Sequence, residues 1–263
     1  MRFNRILPVA ALLVLVSGIW GSVTAGPDTT TGYNLLRLGG TWVKWGEPKL
    51  GTPAEVTYAF ASRSMDFPDA RNCRGLQPVA PMLGRLGIAA DSFRDEVKFA
   101  FGEWSRVADI VFRRVSDATE ADIVIGAQKT PRGRAYSNVA YASRNEKGTT
   151  RISKSLICLN PAMKWKQGFD GDLDVYDLRY TLIHEIGHAI GLDHPGPHGQ
   201  LMSFSYQEDF RKLQAGDIAG AAALYGGPRN RTTLPVQSAS GAEAKASGGT
   251  VMSAPQDLSL GGK

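Results

Sequence analysis

Hydrophobic and polar residues alternate along several stretches of the chain, and this period of two predicts β-strands. The clearest case places Val56, Tyr58 and Phe60 on one face of a strand over 55–60. Short apolar runs that are rich in β-branched residues predict three more strands, over 110–115, 121–127 and 151–159. The stretch over 128–150 is polar and is predicted to be a loop.

A second period, near 3.6 residues, predicts helices. Over 91–107, with Asp91 or Ser92 as the cap, one side carries the apolar residues Phe93, Val97, Phe101, Trp104 and Ala108. This apolar side is expected to pack on a sheet. Two further helices are predicted over 178–190, with Asp177 as its N-cap, and over 217–226. The stretch over 61–90 holds several prolines and glycines and is interpreted as a long insertion before the first of these helices.

The second predicted helix carries HEIGHAIGLDH, a motif that runs from His184 to His194. Residues four apart on a helix lie one above the other, so His184 and His188 can bind a single metal ion. Glu185 then lies beside that ion. This pairing of two imidazoles and a carboxylate is typical of zinc peptidases.

The end of the motif can supply a third ligand. Gly191 tolerates the left-handed conformation that ends a helix, and the chain can then turn back and bring His194 under the ion. The remaining histidine, His198, follows a Pro-Gly-Pro turn with no fixed ligand spacing and is interpreted as a loop residue.

Three protein ligands leave a fourth position for water, which distinguishes a catalytic zinc from a structural one. Zinc lowers the pKa of such a water towards neutrality, and Glu185 is placed to take its proton as the general base. A bare HExxH pattern also describes a helix with two ordinary histidines. The glycine and the third histidine at fixed offsets disfavour that interpretation.

Met202 lies eight residues beyond the motif, and a long motif followed by a methionine turn resembles the metzincins, a group of zinc peptidases. The flanking residues are most similar to the matrixin branch, the matrix metalloproteinases and their bacterial relatives. Similar stretches are the Trp-then-strand opening, Phe101-Gly102-Glu103-Trp104, Asp122-Ile123-Val124-Ile125 and the closing helix. Ser203 and Phe204 stand where the family usually has Tyr-Pro. The resemblance spans 41–227.

The resemblance implies an α+β fold, in which a twisted, mostly parallel sheet packs against a backing helix and an active-site helix. It also implies that His184, His188 and His194 bind one catalytic zinc, with Glu185 as general base and Met202 packed beneath the metal. Protein or peptide substrates would lie extended along an edge strand above the zinc.

Two classes of function remain from the sequence. The first is an exported zinc endopeptidase, and the second is a catalytically silent secreted binding or adhesion protein on the same scaffold. Glu185 argues against the second, because a silent protein can lose the general base without losing its metal.

Other metal sites of the family are not matched. Many matrixins bind a structural zinc through histidines, whereas this chain has no histidine before His184, so no second zinc is expected. Asp170, Asp172 and Asp174 are spaced like the first positions of a calcium loop, but Val175 and Thr181 replace its glycine and glutamate. An EF-hand is excluded, a solvated acidic loop is favoured, and calcium binding stays open.

The chain ends predict export and a tail. Residues 1–25 combine two arginines, an apolar run and a small-residue cleavage site, which is typical of a secretory signal peptide, although an uncleaved anchor is the alternative. A linker over 26–40, a catalytic domain over 41–227 and a disordered tail over 228–263 are expected to follow. The product would be secreted or periplasmic.

The net charge of +5 falls to +3 without the two arginines of the signal, and the basic residues are scattered. This pattern gives no basis for binding nucleic acid. A monomer that does not contact the membrane after signal cleavage is expected.

The two cysteines, Cys73 and Cys158, are expected to form one disulfide in an oxidising compartment. The alternative is that Cys73 caps the zinc, as a propeptide cysteine does in latent matrixins. Cys73 follows the first predicted strand of the domain, and its surroundings match that switch only faintly, so the disulfide is favoured.

Overall fold

A computed structural model describes residues 32–142 and 148–229. The strands are β1 (Asn34–Leu35), β2 (Arg37–Leu38), β3 (Thr41–Lys44), β4 (Ala54–Phe60), β5 (Met65–Asp66), β6 (Gly75–Gln77), β7 (Ile110–Arg114), β8 (Ile123–Gln128), β9 (Ala135–Tyr141), β10 (Thr149–Leu159), β11 (Trp165–Lys166), β12 (Tyr176–Asp177) and β13 (Leu192–Asp193). The helices are α1 (Ala80–Leu86), α2 (Ala90–Val107), α3 (Leu178–Ala189) and α4 (Ala215–Tyr225).

The main sheet is mostly parallel, as predicted. Strands β7, β4, β8 and β10 lie side by side in that order, and each pairs in parallel with its neighbour. Strand β9 pairs antiparallel with β10 and with no other strand in the described part of the chain, so its outer edge is free. Strand β3 also pairs in parallel with β10, near its start.

Both faces of this sheet are buried, which is usual when parallel strands carry continuous apolar runs. Ile123 and Ile125 of β8 belong to the core cluster that also contains Trp104 of α2 and Ile186 of α3. Val124, which points to the opposite face, belongs to a second cluster. The α+β arrangement of a sheet with a backing helix and an active-site helix is therefore confirmed.

The stretch over 61–90, interpreted as an insertion before the first helix, contains helix α1, whose Met82 and Leu83 join the first cluster. The part of the stretch before α1 covers the second face. It contributes Ala70, Cys73 and Leu76 to the second cluster, where they meet Leu156 and Cys158 of β10. The predicted disulfide is present between Cys73 and Cys158, with Cα atoms 6.3 Å apart. Cys73 is therefore bonded within the fold, and the interpretation of this residue as a zinc cap is wrong.

Two predicted irregular segments contain strands. The loop predicted over 128–150 includes β9, which pairs with most of β10. The linker predicted over 26–40 includes β1 and β2, which pair with β13 and β3. These segments are polar and half-exposed, and they become strands because neighbouring strands supply their hydrogen bonds. A local apolar pattern would not reveal such strands.

The cap predicted for α2 is wrong, whereas that of α3 is confirmed. Helix α2 begins at Ala90 after Ala89, without a side-chain cap, so that Asp91 and Ser92 lie within its first turn. The Asp177 side chain accepts a hydrogen bond from the Tyr180 amide at the start of α3.

The predicted signal peptide and most of the predicted tail lie outside the described residues. Within 32–142 and 148–229, no helix is both long enough and apolar enough to cross a membrane.

Candidate active site

The site is built on α3, whose first turn is anchored by Asp177. This buried carboxylate accepts a hydrogen bond from the Tyr180 amide at 2.8 Å and two from the Arg211 guanidinium, from Nη2 at 2.8 Å and from Nε at 3.0 Å. A carboxylate at a helix N-terminus also interacts favourably with the helix dipole. The start of the helix is thus fixed to the segment that follows the methionine turn.

The C-terminal carbonyl groups of α3 are satisfied by side chains. The Ala189 carbonyl accepts hydrogen bonds from Trp45 Nε1 at 2.9 Å and Ser155 Oγ at 3.1 Å, and the Tyr225 hydroxyl donates to the Ile190 carbonyl. A helix end that is buried without such partners would be unstable. These bonds hold the helix that carries the histidines to the residue after β3, to β10 and to α4.

Gly191 ends the helical path, as predicted. Its φ of +106° lies in the left-handed region, and a Cβ built on it would lie 2.2 Å from the carbonyl oxygen of Val43. The chain then forms β13, which pairs with β1, and Asn34 Nδ2 donates to the carbonyl of His194 at 2.9 Å. The segment predicted as a linker therefore positions the third histidine.

The turn around Met202 supports the first histidine from below. The Leu201 carbonyl accepts a hydrogen bond from His184 Nδ1 at 2.8 Å. The buried carboxylate of Asp217 in α4 accepts from the amides of Leu201 and Met202 at 2.8 and 3.0 Å. Met202 is buried, and its sulfur lies where a Cβ on Gly187 would be.

The three motif histidines converge on one point. The Nε2 atoms of His184, His188 and His194 form a triangle with sides of 3.1, 3.1 and 3.2 Å. His184 Nδ1 and His188 Nδ1 donate to the carbonyls of Leu201 and Leu192, so in these neutral rings Nε2 carries a lone pair.

Lone pairs this close repel one another unless a cation lies between them. A tetrahedral zinc with Zn–N bonds of about 2.0–2.1 Å needs nitrogens about 3.3–3.4 Å apart, which is close to the observed triangle. The donor set also suits this metal, because imidazoles that donate Nδ1–H to a carbonyl are the usual zinc ligands. In the described part of the chain, these three residues are the only cluster of side chains that could hold a metal ion.

Burial keeps the three imidazoles neutral. It lowers the pKa of His188 to about 4, moves the pKa of His184 well below its ordinary value, and also lowers the pKa of His194. Repulsion from the neighbouring histidines also lowers the pKa of His184 and that of His188. Neutral imidazole is the form that binds metal.

Glu185 lies in the same cleft with its carboxyl group in a dry environment. Burial raises its pKa to about 7, although hydrogen bonding to Ser137 and the charge of Arg134 act in the opposite direction. Its Oε2 atom is buried and has no hydrogen-bond partner within the described residues. The Ser137 hydroxyl of β9 donates to the Glu185 carbonyl at 2.7 Å and ties the edge strand to α3.

The cleft has a volume of about 910 Å³ and lies between α3 and β9. Its walls include residues 135–141 of the edge strand, Tyr180 and Thr181 of α3, and Phe204, whose ring lies 5.5 Å from that of His194 and is 72% exposed. Asp69, Arg71 and Asn72, from the stretch that carries the disulfide, also line it. An open cleft next to a free strand edge suits an extended peptide.

The structure brings together every residue of the predicted site, and His198 does not line the cleft. Sequence reasoning missed Arg134, Ser137 and Asn34. The alternation in Ala135-Tyr136-Ser137-Asn138-Val139 was a weak signal for a strand there, whereas nothing local distinguishes Asn34.

The acidic loop is exposed, as favoured by the sequence. The Lys166 ammonium group contacts the carboxylates of Asp170 and Glu208 and donates to the Asp172 carbonyl at 2.7 Å. An ammonium group thus lies among the oxygens that a calcium ion would use.

A mostly parallel sheet, a helix with two histidines and a glutamate, a third histidine after a glycine turn, and a methionine turn below them together define a zinc peptidase of the metzincin class. Comparison with known proteins gives the family. The family model described as Matrixin matches residues 85–226, more than half of the chain. The chain belongs to the matrixin family, and its domain is that of a zinc metalloendopeptidase.

Individual relatives agree with this assignment. The chain is 28% identical over 190 residues to the hatching enzyme of Paracentrotus lividus, which covers 68% of this chain and 29% of that protein. It is 29% identical over 150 residues to metalloendoproteinase 1-MMP of Arabidopsis thaliana, covering 53% of this chain and 39% of that protein. Interstitial collagenase of Bos taurus is 25% identical over 222 residues, which is 81% of this chain and 42% of the collagenase. The chain thus spans less than half the length of these relatives.

Proposed function

We propose that this protein is an exported zinc endopeptidase in which His184, His188 and His194 bind the catalytic zinc and Glu185 is the general base. The observation that carries the proposal is the triangle of Nε2 atoms with sides of 3.1–3.2 Å, together with a buried carboxylate oxygen that has no partner among the described residues. A scaffold kept only for binding would not need that carboxylate.

The three imidazoles would hold the zinc, which would act as a Lewis acid towards the scissile carbonyl and would acidify water. Glu185 accepts the proton of the attacking water and later delivers it to the leaving amine. Its dry environment suits both steps, because a carboxylate that is poorly hydrated holds a proton more readily than one in water. Ser137 keeps the Glu185 backbone at a fixed distance from the edge strand.

Substrates are protein or peptide segments in an extended conformation. The free edge of β9 supports this proposal, since unpaired amide and carbonyl groups of an edge strand can pair with an added strand. The cleft runs beside that edge over the length of the strand.

Export is supported by the pattern of residues 1–25 and by the disulfide between Cys73 and Cys158, which is stable in an oxidising compartment. Fractionation of the native cells should find the protein outside the cytoplasm, with Gly26 near its mature N-terminus. A cytoplasmic protein that keeps Met1 would contradict this part of the proposal.

The general base is tested by Glu185→Gln, which keeps the size of the side chain and removes the carboxylate. We expect zinc content to stay at one ion per chain and hydrolysis of a denatured protein to fall by about 10²–10⁴-fold. Removing zinc with a chelator should abolish hydrolysis in the unchanged protein, and added zinc should restore it.

The matched control is Glu55→Gln, at an exposed glutamate of β4 that does not line the cleft, and it should leave hydrolysis unchanged. Full hydrolysis by Glu185→Gln would refute the role of Glu185. If the wild-type protein binds zinc but cleaves no peptide in a broad library, this result would instead support the alternative function of a catalytically silent binding protein.

A further inference from the structure

Three buried side-chain atoms in the described part of the chain have no hydrogen-bond partner, and all three belong to residues that line the cleft. They are Arg134 Nε, Thr181 Oγ1 and Glu185 Oε2. An unpaired buried polar atom costs about 1–3 kcal/mol, so its partner is expected to come from elsewhere. Proton transfer accounts for Glu185, whereas the proposed chemistry uses neither Arg134 nor Thr181.

These two residues flank the reacting centre. Thr181 lies four residues before Glu185 on α3, and residues with this spacing are neighbours on one face of a helix. Thr181 is only 3% exposed, yet it lines the cleft. Arg134 immediately precedes β9, which forms the other wall. Both residues line the cleft beside the edge of β9, so a side chain of a substrate held on that edge would enter the same cleft.

Arg134 carries a positive charge that lowers the pKa of Glu185 but belongs to no ion pair among the described residues. Its guanidinium carbon lies 4.0 Å from the ring centre of Tyr176 and 5.2 Å from that of Tyr206, so the group is held by aromatic rings. No ion pair within 32–142 and 148–229 includes it. By contrast, Arg179 and Arg211 nearby are paired with Glu96 and Asp177.

We propose that Arg134 and Thr181 form a specificity site for an acidic substrate side chain next to the scissile bond, with Arg134 as its charge partner and the Thr181 hydroxyl as a hydrogen-bond donor. This inference rests on the proposed function and names its substrate class. Guanidinium groups bind carboxylates with two hydrogen bonds in a fixed geometry, which gives both affinity and orientation. A side chain without an acceptor would leave both buried groups unpaired and would be disfavoured.

The first experiment is a cleavage-site profile on a denatured proteome digest. The unchanged protein should show enrichment of Glu and Asp at one position adjacent to the cut. Two peptides that differ only at that position, one with Glu and one with Leu, should then differ in kcat/KM by about tenfold or more, which corresponds to about 1.4 kcal/mol.

The test variants are Arg134→Met, which keeps an unbranched apolar stem without the guanidinium group, and Thr181→Val, which keeps the shape without the hydroxyl. In Arg134→Met, kcat/KM should fall for both peptides, because the charge of Arg134 also lowers the pKa of Glu185, but it should fall further for the Glu peptide, so that the preference is lost. Thr181→Val should reduce the preference severalfold. The control Arg132→Met, at an exposed arginine two residues before Arg134 and outside the cleft lining, should keep the full preference.

Binding separates this proposal from the peptidase proposal. In the Glu185→Gln protein, fluorescence anisotropy should show tighter binding of the Glu peptide than of the Leu peptide, and Arg134→Met added to it should remove the difference. If no peptide is cleaved but this selective binding persists, the specificity site stands and the peptidase proposal fails. A preference for Leu, or an equal loss on both peptides in Arg134→Met, would overturn the specificity site.

Discussion

At the scale of single residues, two glycines of α3 and its turn allow the site to form. Gly187 has no side chain where the sulfur of Met202 and the ring of Trp104 approach the helix, at 2.2 and 2.9 Å from a Cβ built there. Gly191 combines a positive φ with a carbonyl 2.2 Å from the place of a Cβ. Each glycine therefore permits a close contact between α3 and its neighbours.

Gly191→Ala should destabilise the protein and loosen its third metal ligand. The left-handed conformation alone costs an alanine about 1–3 kcal/mol, and the contact with the Val43 carbonyl adds to this. We expect a lower urea midpoint and a zinc content below one ion per chain by elemental analysis. Gly196→Ala is the control, because a Cβ there meets nothing within 4 Å. Equal stability of the two variants would contradict the role of Gly191.

The burial of Lys44 predicts how the free energy of unfolding varies with pH in alkaline solution. Its buried ammonium group donates to the carbonyls of Trp45 and Glu47 at 2.7 and 2.8 Å. Burial lowers its pKa to about 8, and the charge of Glu47 only partly opposes this. Between that value and about 10.5, the unfolded chain binds more protons than the folded protein, so stability should rise with pH.

The check is to measure urea midpoints from pH 7 to pH 10 for the unchanged protein and for Lys44→Met. The Lys44→Met protein should lack the rise that this lysine contributes, so the difference between the two curves should grow with pH in favour of the unchanged protein. Parallel curves would show that Lys44 has an ordinary pKa.

At the scale of elements, α3 presents only two of the three histidines. The third, His194, directly follows β13, and this two-residue strand is held by pairing with β1 and by the hydrogen bond from Asn34 to the His194 carbonyl. The Leu36 amide also donates to the Gly191 carbonyl at 2.8 Å. The chain that precedes the domain predicted from the sequence is thus part of its metal site.

Asn34→Ala should therefore weaken zinc binding. Loss of this one exposed hydrogen bond is worth about 0.5–1.5 kcal/mol, so we expect the zinc affinity to fall roughly threefold to tenfold. Competition with a chromogenic zinc chelator measures this change in zinc affinity. Arg37→Ala removes a side chain that bonds locally to the Gly40 carbonyl and should leave zinc affinity as it is. A similar fall in both variants would point to a general effect of the N-terminal strands.

At the scale of the whole molecule, the sheet is enclosed between two unlike covers. Helices α2 and α3 pack on one face, and the segment with β5 and β6 covers the other. The Cys73–Cys158 disulfide joins this segment to β10, and the amides of Arg71 and Asn72 donate to Asn138 of β9 at 2.8 and 3.3 Å. One cover thus also forms a wall of the substrate cleft.

Replacing both cysteines by alanine should affect stability and catalysis together. A disulfide that closes 85 residues contributes about 2–5 kcal/mol to the free energy of unfolding, which urea titration would show. We also expect KM to rise more than kcat falls, because the cleft wall loosens while the zinc site on α3 is untouched. An unchanged KM in the folded variant would show that this wall does not contact substrate.

Much of the fold was predictable because its signals are local. The parallel strands are short apolar runs, and α2 has apolar residues at helical spacing along one side. The motif from His184 to His194 contains the histidine-bearing part of α3 and the glycine turn that follows it. Helix α1 and strands β1, β2 and β9 were among the elements missed. Half-exposed strands such as these three are stabilised by partners far away in sequence. The cap of α2 was misplaced because this helix begins at Ala90, after Ala89, without any side-chain cap.

The sequence by itself determined the metal-binding chemistry, because three histidines and a glutamate at those offsets need only one helix and one turn to meet. Only the tertiary structure decided what surrounds that chemistry. It brought Asn34 to His194, placed Arg134 and Thr181 on the two walls of one cleft, and laid the disulfide-bonded segment beside β9. These contacts join residues far apart in the chain, and their distances depend on how the sheet and helices pack rather than on any local pattern.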